Sequence, residues 1–382
     1  MPLETMKQMI IKKIFSLSFT LLIFYNCDLG NDNKDTQNLV FLSLLSNGST
    51  YTSNVKVSLY AGSSQRQSGG IDGDRFSATF NRPRDLVYVS LDKSLLIVDN
   101  EGRKIRKIDA SGSVSTFAGA LDGSFGDTDG IGTIARFKNI LGITRCPDGY
   151  FYVADSSNSL VRKISEAAEV TKLTGGNGNV DGNLATARFG ILRDITCDNT
   201  GNLFVTDGSN HSIRKIDTSG NVTTYAGSTS GVAGLVDGVG NDARFTDPNG
   251  ISFDPISGNL YVLGCCGSFA VIDQNRKVTF VTKVLGYVNG NISQAKFSSP
   301  TNLVSDVDGD FIIADSVNNA IRKYTRAGEV STFAGTTFGE FGLVDGYGTQ
   351  ARFNEPSGIV AGEGRTFFVT DYRNHVIRKI EY

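Results

Sequence analysis

One frame of residues occurs six times between Asp72 and Ile359 without an insertion. The last copy starts at Asp345 with an Asp-Gly pair, places Ala-Arg-Phe so that the Ala comes six positions after the Asp, and ends with Pro, one residue and Gly-Ile. The Gly, the Ala and the Phe occur in every copy, the Phe at Phe80, Phe137, Phe189, Phe245, Phe297 and Phe353. Self-similarity at a regular spacing determines the fold class before any single residue can be interpreted.

Short strand patterns fill the space between successive copies. The frame phenylalanines are 57, 52, 56, 52 and 56 residues apart. Runs such as Phe367–Asp371, Val376–Ile380 and Val330–Gly335 are rich in β-branched and aromatic residues and are separated by Gly, Asp and Asn turns. Periods of this length with several short strands are typical of propeller blades. The sequence therefore predicts an all-β, six-bladed β-propeller of four-stranded blades.

The two ends of the repeated region are offset by one strand. The repeats begin with a fourth-strand segment, Val57–Gly62, and stop at Tyr382 after a third strand. A propeller has no exposed strand edge when its ring is closed. We therefore expect the propeller to span residues 57–382, with the N-terminal strand completing the last blade and closing the ring.

The N-terminus has the pattern of a targeting segment. A hydrophobic run, Ile14–Tyr25, follows three lysines and is too short to span a bilayer, which is typical of a secretory signal. Residues 1–26 are predicted to be a signal peptide. Residues 27–56 would then be a polar tether, and the domain would be exported.

Cys27 comes directly after this segment. Residues 23–27 resemble a bacterial lipobox, in which the Cys after the cleavage site carries the lipid anchor, although this chain lacks the usual small residues before the Cys. The resemblance implies lipid attachment at Cys27 and a protein anchored to the cell membrane or outer membrane. The alternative is a plain secretory signal with an incidental Cys, which would give a periplasmic or secreted protein.

The overall charge excludes one class of partner. The 37 Lys and Arg residues nearly balance the 39 Asp and Glu residues, so the formal net charge is -2. Such a chain has no global field that would attract a polyanion. No nucleic-acid partner is predicted.

Each blade repeats a second motif on its second and third strands. Tyr152–Asp155, Asn158 and Val161–Ile164 form one copy, and Asp207 and Asp371 begin similar ones. These motifs resemble NHL repeats, and the resemblance covers residues 57–382. It implies a six-bladed propeller, but proteins of this kind include enzymes, RNA-binding domains, sensors and protein-binding platforms. The fold alone therefore does not determine the function.

An Asp at the end of the second strand is followed seven positions later by an Arg in five blades. In the fourth blade both are lost together, since Gly264 and Val271 take their places. Joint loss indicates that the two side chains are partners, because removal of one would leave a buried charge unpaired. We expect a structural clamp across each hairpin, formed by Asp99 and Arg106, Asp155 and Arg162, Asp207 and Arg214, Asp315 and Arg322, and Asp371 and Arg378.

The frame itself is predicted to join one blade to the next. Its Asp is expected to cap a short helical turn and its Phe to pack between blades. Alternating carboxylates, Asp72 with Asp74 and Asp127 with Asp129, raise the question of a calcium ion, but a complete calcium loop needs more oxygen ligands. No cofactor is therefore predicted, and calcium binding is the one alternative.

Departures from the repeat single out a candidate binding sector. In the fourth blade, Cys265 and Cys266 replace the usual Asp-x-x-Asn hairpin, and the following interblade loop has Asn289 for Asp and Lys296 for Arg. Hairpins and interblade loops open on the same face of a propeller, so we expect a partner to bind there. The alternative is neutral drift in the least regular blade.

The remaining cysteines leave their pairing open. Cys265 and Cys266 could form a vicinal disulfide or remain reduced. Cys146 and Cys197 lie near the ends of first strands in adjacent blades and could face each other.

Enzyme functions lack several of their usual residues. The two histidines, His211 and His375, occupy equivalent positions in separated blades and are not expected to converge on one metal. No nucleophile–histidine pair or phosphate-binding loop is evident. The charged candidates for the channel-facing strands are Asp85, Arg145, Arg193 and Asp194.

The sequence thus favours a binding platform for a protein or glycan partner. The alternative is a metal-dependent lactonase or lyase-like enzyme that uses the central channel, and a scaffold without a small-molecule site is a third reading. Three or more carboxylate, Asn or His groups at the channel mouth would favour the enzyme, whereas Thr, Ser and apolar groups would argue against it.

Overall fold

The structure is a computed structural model that describes residues 54–337 and 339–382. The predicted signal peptide, Cys27 and the predicted tether up to residue 53 lie outside the described residues. Within the described part of the chain, no helix is both long and apolar enough to cross a membrane.

Six antiparallel sheets form the six blades of a β-propeller, numbered here in chain order. Blade 1 contains Pro83–Val89, Ser94–Asp99, Lys104–Ile108 and Val114–Ala118; blade 2 contains Ile140–Arg145, Phe151–Asp155, Leu160–Ile164 and Glu169–Gly175; blade 3 contains Leu192–Cys197, Leu203–Asp207, Ser212–Ile216 and Asn221–Gly227. Blade 4 contains Pro248–Phe253, Leu260–Gly264, Phe269–Ile272 and Lys277–Thr282; blade 5 contains Pro300–Ser305, Phe311–Asp315, Ala320–Tyr324 and Glu329–Gly335; blade 6 contains Lys56–Ala61, Pro356–Ala361, Thr366–Asp371 and Val376–Glu381. The predicted fold class is confirmed.

Five of the six sheets have a short fifth strand that the sequence did not reveal. It consists of the frame Gly and the next residue, and it pairs with the start of the fourth strand. These strands are Gly130–Ile131, Gly182–Asn183, Gly238–Val239, Gly290–Asn291 and Gly346–Tyr347. The short 3₁₀ turns of the described residues are Gly132–Ile134, Ser156–Asn158, Gly240–Asp242, Cys265–Gly267, Ser316–Asn318, Gly348–Gln350 and Tyr372–Asn374.

The N-terminal strand belongs to the last blade, as the offset of the repeats predicts. Lys56–Ala61 pairs antiparallel with Val376–Glu381, with Lys56 opposite Glu381. The first strand of blade 6 also contacts the first strand of blade 1. The beginning and the end of the repeated region are therefore joined in one sheet.

The core consists of six hydrophobic clusters, each between two adjacent blades. One cluster, for example, combines Val98 of blade 1, Val153 of blade 2 and Phe137 of the frame. Every cluster contains one frame Ala and one frame Phe, and each of these twelve residues is at most 2% exposed. The prediction that the Phe packs between blades is correct.

The predicted capping role of the frame Asp is wrong. The turn Gly132–Ile134 follows Ile131 and has no side-chain cap. The Asp129 carboxylate instead accepts a hydrogen bond from Arg162 at 2.8 Å. In the third copy of the frame, the turn is capped by Asn183, two positions after the frame Asp. The Oδ1 atom of Asn183 accepts a hydrogen bond from the amide of Ala185 at 2.9 Å.

Two ends of the propeller can be distinguished by their connections. At one end, here the hairpin face, the second-to-third-strand hairpins meet the interblade loops, and Asn158 donates a hydrogen bond to the Gly126 carbonyl at 2.7 Å. At the other end, here the turn face, lie the first-to-second-strand turns. A disulfide between Cys146 and Cys197 links blades 2 and 3 there, with 5.9 Å between their Cα atoms.

Candidate functional site

The first strands of the six blades converge around the central channel. On the hairpin face, the second residue of each first strand contributes to a ring that we call the channel mouth, composed of Arg84, Leu141, Arg193, Asn249, Thr301 and Ser357. Together with three deeper polar residues, this ring lines a cavity of about 10 Å³. That is about the space that one water molecule needs, so polar side chains nearly close the channel at this depth.

Below the channel mouth, polar side chains alternate with glycines around the ring. In blade order the six positions are Asp85, Gly142, Asp194, Gly250, Asn302 and Gly358. A Cβ atom on Gly142 would lie 2.4 Å from Asp194 Oδ1, and one on Gly358 would lie 2.8 Å from Asp85 Oδ1. The glycines are therefore required because the following blade occupies the space, and at Gly250 the obstacle is the Thr301 carbonyl oxygen at 2.3 Å.

The two buried carboxyl groups each connect their blade to the next one. Asp85 Oδ2 accepts a hydrogen bond from the amide of Ile143 at 2.8 Å, and Asp194 Oδ2 accepts one from Ile251 at 2.9 Å. Burial raises the pKa of Asp85 to about 7. Burial, together with the nearby charge of Asp85, raises the pKa of Asp194 well above its usual range.

The two arginines of the channel mouth differ in their partners. Arg193 donates two hydrogen bonds to the Asp247 carboxylate, at 3.1 and 2.9 Å, and its charge is thereby balanced. Arg84 donates one hydrogen bond, at 3.3 Å, to the side-chain oxygen of Asn249 in the opposite blade. Its guanidinium carbon also lies 5.8 Å from the centre of the Tyr372 ring. Burial lowers the pKa of Arg84.

The cysteine pair of the predicted sector lies close to the channel mouth. The thiol of Cys265 donates to the Thr246 carbonyl at 3.3 Å, and the charges of Asp247 and Arg193 influence its pKa. The two sulfurs are 3.4 Å apart and unbonded, so the structure contains free thiols rather than a vicinal disulfide. Cys266 has a left-handed backbone conformation, with a φ of 60°, and its side chain is exposed.

The other two residues of that sector have a different role. The side-chain oxygen of Asn289 accepts a hydrogen bond from Arg322 at 2.6 Å, and its amide group donates to Thr332 at 3.2 Å. The Lys296 carbonyl accepts a hydrogen bond from the same arginine at 3.2 Å. Asn289 and Lys296 thus contribute to the clamp of blade 5. The predicted binding sector therefore divides into a cysteine pair beside the channel mouth and a structural part.

We expect the two thiols to differ in reactivity. Burial and the hydrogen bond to its neighbour raise the pKa of Cys265 to about 12, and only the thiolate is nucleophilic. Iodoacetamide at pH 8 should therefore alkylate Cys266 of the folded protein first, as peptide mass spectrometry would reveal. A Cys266→Ser variant should react slowly until it is denatured. Equal labelling of both cysteines in the folded protein would contradict this assignment.

The Asp–Arg pairs predicted from the repeat are in contact in all five blades. The shortest N–O distances lie between 2.8 and 3.3 Å, and both side chains of every pair are fully buried. In each blade the second Arg nitrogen also donates to the frame Asp or, in blade 5, to Asn289. The frame Asp is therefore a third member of the clamp, which explains its position in the repeat.

One sequence-based assignment needs revision, and the two histidines have a role that the sequence did not predict. Arg145 does not line the channel cavity, because it pairs with Glu166 at 2.7 Å. Each histidine ties its hairpin to the following interblade loop: Nδ1 of His211 accepts from the Asp247 amide, and Nδ1 of His375 accepts from the Arg82 amide, both at 3.1 Å. Accepting at Nδ1 requires that nitrogen to be unprotonated.

The channel cavity meets the criterion set for the enzyme alternative, because two Asp and two Asn side chains line it. Two arginines line the same cavity. Both carboxyl groups also accept hydrogen bonds from backbone amides of the next blade, which reduces their capacity to bind a metal ion. Among residues 54–337 and 339–382, no group of three or more His, Cys, Asp or Glu side chains could hold a metal ion.

Sequence reasoning did not name six residues of this site, namely Arg84, Leu141, Asn249, Thr301, Asn302 and Ser357. Arg84 and Asn249 directly follow Pro83 and Pro248, at the variable position of the frame. A comparison of that position across the six copies would have revealed the ring.

Comparisons with known proteins support the fold and the repeat type. No family model matches the chain. It is 33% identical over 143 residues to NHL repeat-containing protein 2 of Bos taurus, and 28% identical over 277 residues to teneurin-4 of Homo sapiens. The matches cover 34% and 61% of this chain, but only 20% and 10% of those proteins. The chain thus spans a fifth or less of the length of these curated relatives.

Solved structures share the architecture at low sequence identity. The crystal structure of an auxiliary nutrient-binding protein from Bacteroides thetaiotaomicron aligns with a TM-score of 0.67 at 20% identity, over 87% of this chain and 77% of that one. At this identity the likeness shows the fold alone. The chain is therefore similar in fold to six-bladed propellers, and about a third of it is similar in sequence to an NHL repeat-containing protein.

Proposed function

We propose that this protein is an exported propeller that binds a protein or glycan partner on its hairpin face, over the channel mouth. The observation that carries the proposal is the contrast between the repeated and the unrepeated residues. The clamps and frames recur around the ring and hold the blades together, whereas the channel mouth and the cysteine pair beside it break the repeat. Residues that do not serve the common scaffold are the ones available for recognition.

Export is supported by the cysteines as well as by the N-terminal pattern. The Cys146–Cys197 disulfide joins two blades, and structural disulfides are typical of proteins outside the reducing cytoplasm. A nutrient-binding protein from Bacteroides thetaiotaomicron has a similar fold, so a propeller of this kind can serve a binding role. Lipid attachment at Cys27 remains part of the proposal, and intact-mass analysis of the protein from its native membrane would test it.

Binding on the hairpin face can be tested with one matched pair of variants in blade 5. Val317, in the hairpin, is 53% exposed, and Val307, on the turn face, is 63% exposed. We expect Val317→Arg to weaken capture of an envelope protein or glycan by about tenfold or more, because a bulky charge at an interface costs at least about 1.4 kcal/mol. Val307→Arg should leave capture unchanged.

The measurement would use the full chain, immobilised, against envelope extracts and a glycan array, followed by titration of the partner. Thermal unfolding of both variants would verify that each is folded. Equal loss of binding in both variants, or loss in Val307→Arg alone, would place the partner elsewhere.

A metal-dependent enzyme is the second candidate, since two Asp and two Asn side chains surround the channel. Calcium or zinc binding measured by calorimetry would support it if Asp85→Asn abolished the signal. Binding that persisted in this variant would place the metal outside the channel.

A further inference from the structure

We propose that the channel mouth binds a carboxylate group of a small ligand, and that Arg84 is the residue that pairs with it. This inference rests on the proposed binding role of the hairpin face, and it names the ligand chemistry for the channel mouth. It is carried by the state of Arg84, a half-buried arginine at the channel mouth, compared with the carboxylate-paired arginines elsewhere in the propeller.

The buried arginines elsewhere have their charge neutralised by carboxylates. Each of the five clamp arginines contacts a fully buried Asp, and four of them also contact the frame Asp. Arg193, at the channel mouth itself, has Asp247 as a partner with two hydrogen bonds. Pairing of this kind is what a guanidinium removed from water requires.

Arg84 lacks such a partner. Within residues 54–337 and 339–382 it forms no ion pair, and its one hydrogen bond, to a neutral Asn249 oxygen, is long at 3.3 Å. A guanidinium has five N–H donors in a planar fork that matches a carboxylate. Most donors of Arg84 are therefore unused at a position that lines the channel cavity.

The surroundings add groups that suit an organic acid with hydroxyl groups. Asn249 and Ser357 line the same cavity and carry polar side chains, and the ring of Tyr372 lies beside the guanidinium. Amide and hydroxyl groups bind sugar hydroxyls, and an aromatic ring can pack against a pyranose face. Because the cavity has room for about one water molecule, only the carboxylate of an acidic sugar would reach Arg84, and its hydroxyl-bearing ring would lie outside the channel mouth on the hairpin face.

The ionisable groups around Arg84 predict how binding should change with pH. Asp85 and Asp194 lie below it, and Arg193 and Asp247 neutralise each other beside it. Below pH 7 a protonated Asp85 leaves the charge of Arg84 uncompensated. Above pH 7 the Asp85 carboxylate opposes a bound anion, since its pKa is about 7. Affinity should thus fall as pH rises from 6 to 8, and Asp85→Asn should remove this dependence.

The test is a titration of the full chain with D-glucuronate by calorimetry, with D-glucose as the neutral probe. Glucuronate should bind and glucose should not. Arg84→Gln should weaken glucuronate binding by about tenfold or more, the loss expected for one charge-assisted pair. Arg365→Gln is the matched control, because Arg365 pairs with Asp308 on the turn face, and it should bind like the parent protein.

Two further probes test which kind of molecule supplies the carboxylate. An acetylated dipeptide with a free C-terminal carboxylate, compared with its amide, tests whether a peptide end is bound instead of a sugar acid. Binding of either carboxylate that depends on Arg84 supports the proposal. Absence of binding by every carboxylate probe, or equal binding by a folded Arg84→Gln variant, would overturn it. Capture of an envelope partner that is sensitive to Val317→Arg but not to Arg84→Gln would leave the proposed function standing without this inference.

Discussion

Removal of the strand Lys56–Ala61 is expected to abolish cooperative folding of the whole propeller. This strand is the fourth strand of blade 6, and its Val57 and Ala61 side chains are at most 1% exposed. Without it, Val376–Glu381 becomes an unpaired edge, and two of the interblade clusters lose core residues. An exposed edge of this kind also promotes aggregation.

The comparison uses two truncated proteins that differ by residues 54–61, which contain this strand and the buried Val55 before it. Residues 54–382 should unfold in one sharp thermal transition by circular dichroism, whereas residues 62–382 should show none. Attaching Lys56–Ala61 behind Tyr382 through a short turn should restore the transition, because Lys56 lies opposite Glu381. Unfolding of both truncated proteins at the same temperature would mean that the ring does not depend on this strand.

Breaking one clamp is expected to be the most destabilising single substitution in an otherwise regular blade. Asp207→Ala should reduce the free energy of unfolding by about 3 kcal/mol or more, because removal of one partner from a buried pair leaves the other charge unpaired. Arg214→Ala should have a similar effect. The double variant should lose less than the sum of the two single losses, because both remove the same interaction. Urea denaturation of the four proteins measures this coupling.

The exposed pair Asp308–Arg365 provides the control, since its side chains are 48% and 49% exposed. Exposed pairs contribute little to stability, so the same cycle on this pair should show small losses and little coupling. Strictly additive losses for Asp207 and Arg214 would contradict the clamp.

The sequence predicted much of the architecture because architectural residues recur. Six copies of the frame reveal the number of blades, and the joint loss of Asp and Arg in blade 4 reveals a partnership that neither residue reveals alone. Within the described residues, the offset between Val57 and Tyr382 likewise predicted the strand pairing of the last blade.

The channel mouth was not predictable in the same way, for a physical reason. Its residues are far apart in sequence and meet only when the ring forms, and they occupy the variable position of the frame. Arg84, for example, contacts Asn249 across the channel, 165 positions away. The frame Asp was misread as a local cap because its partner, Arg162 in the second copy, is 33 positions away.

The alternation of polar residues and glycines around the channel limits how such a propeller can change its number of blades. Asp85, Asp194 and Asn302 occupy blades 1, 3 and 5, and glycines occupy the blades between them. Duplication or loss of a single blade would place two side chains, or two glycines, next to each other, producing either a clash or a void. A ring with an odd number of blades cannot alternate polar residues and glycines. The smallest unit that can be added without changing residues at the channel is therefore a pair of blades. The spacing of the frame phenylalanines, in which shorter and longer repeats alternate, has the same two-blade period. The centre of this propeller therefore has a structural period of two blades, whereas the clamps and frames have a period of one.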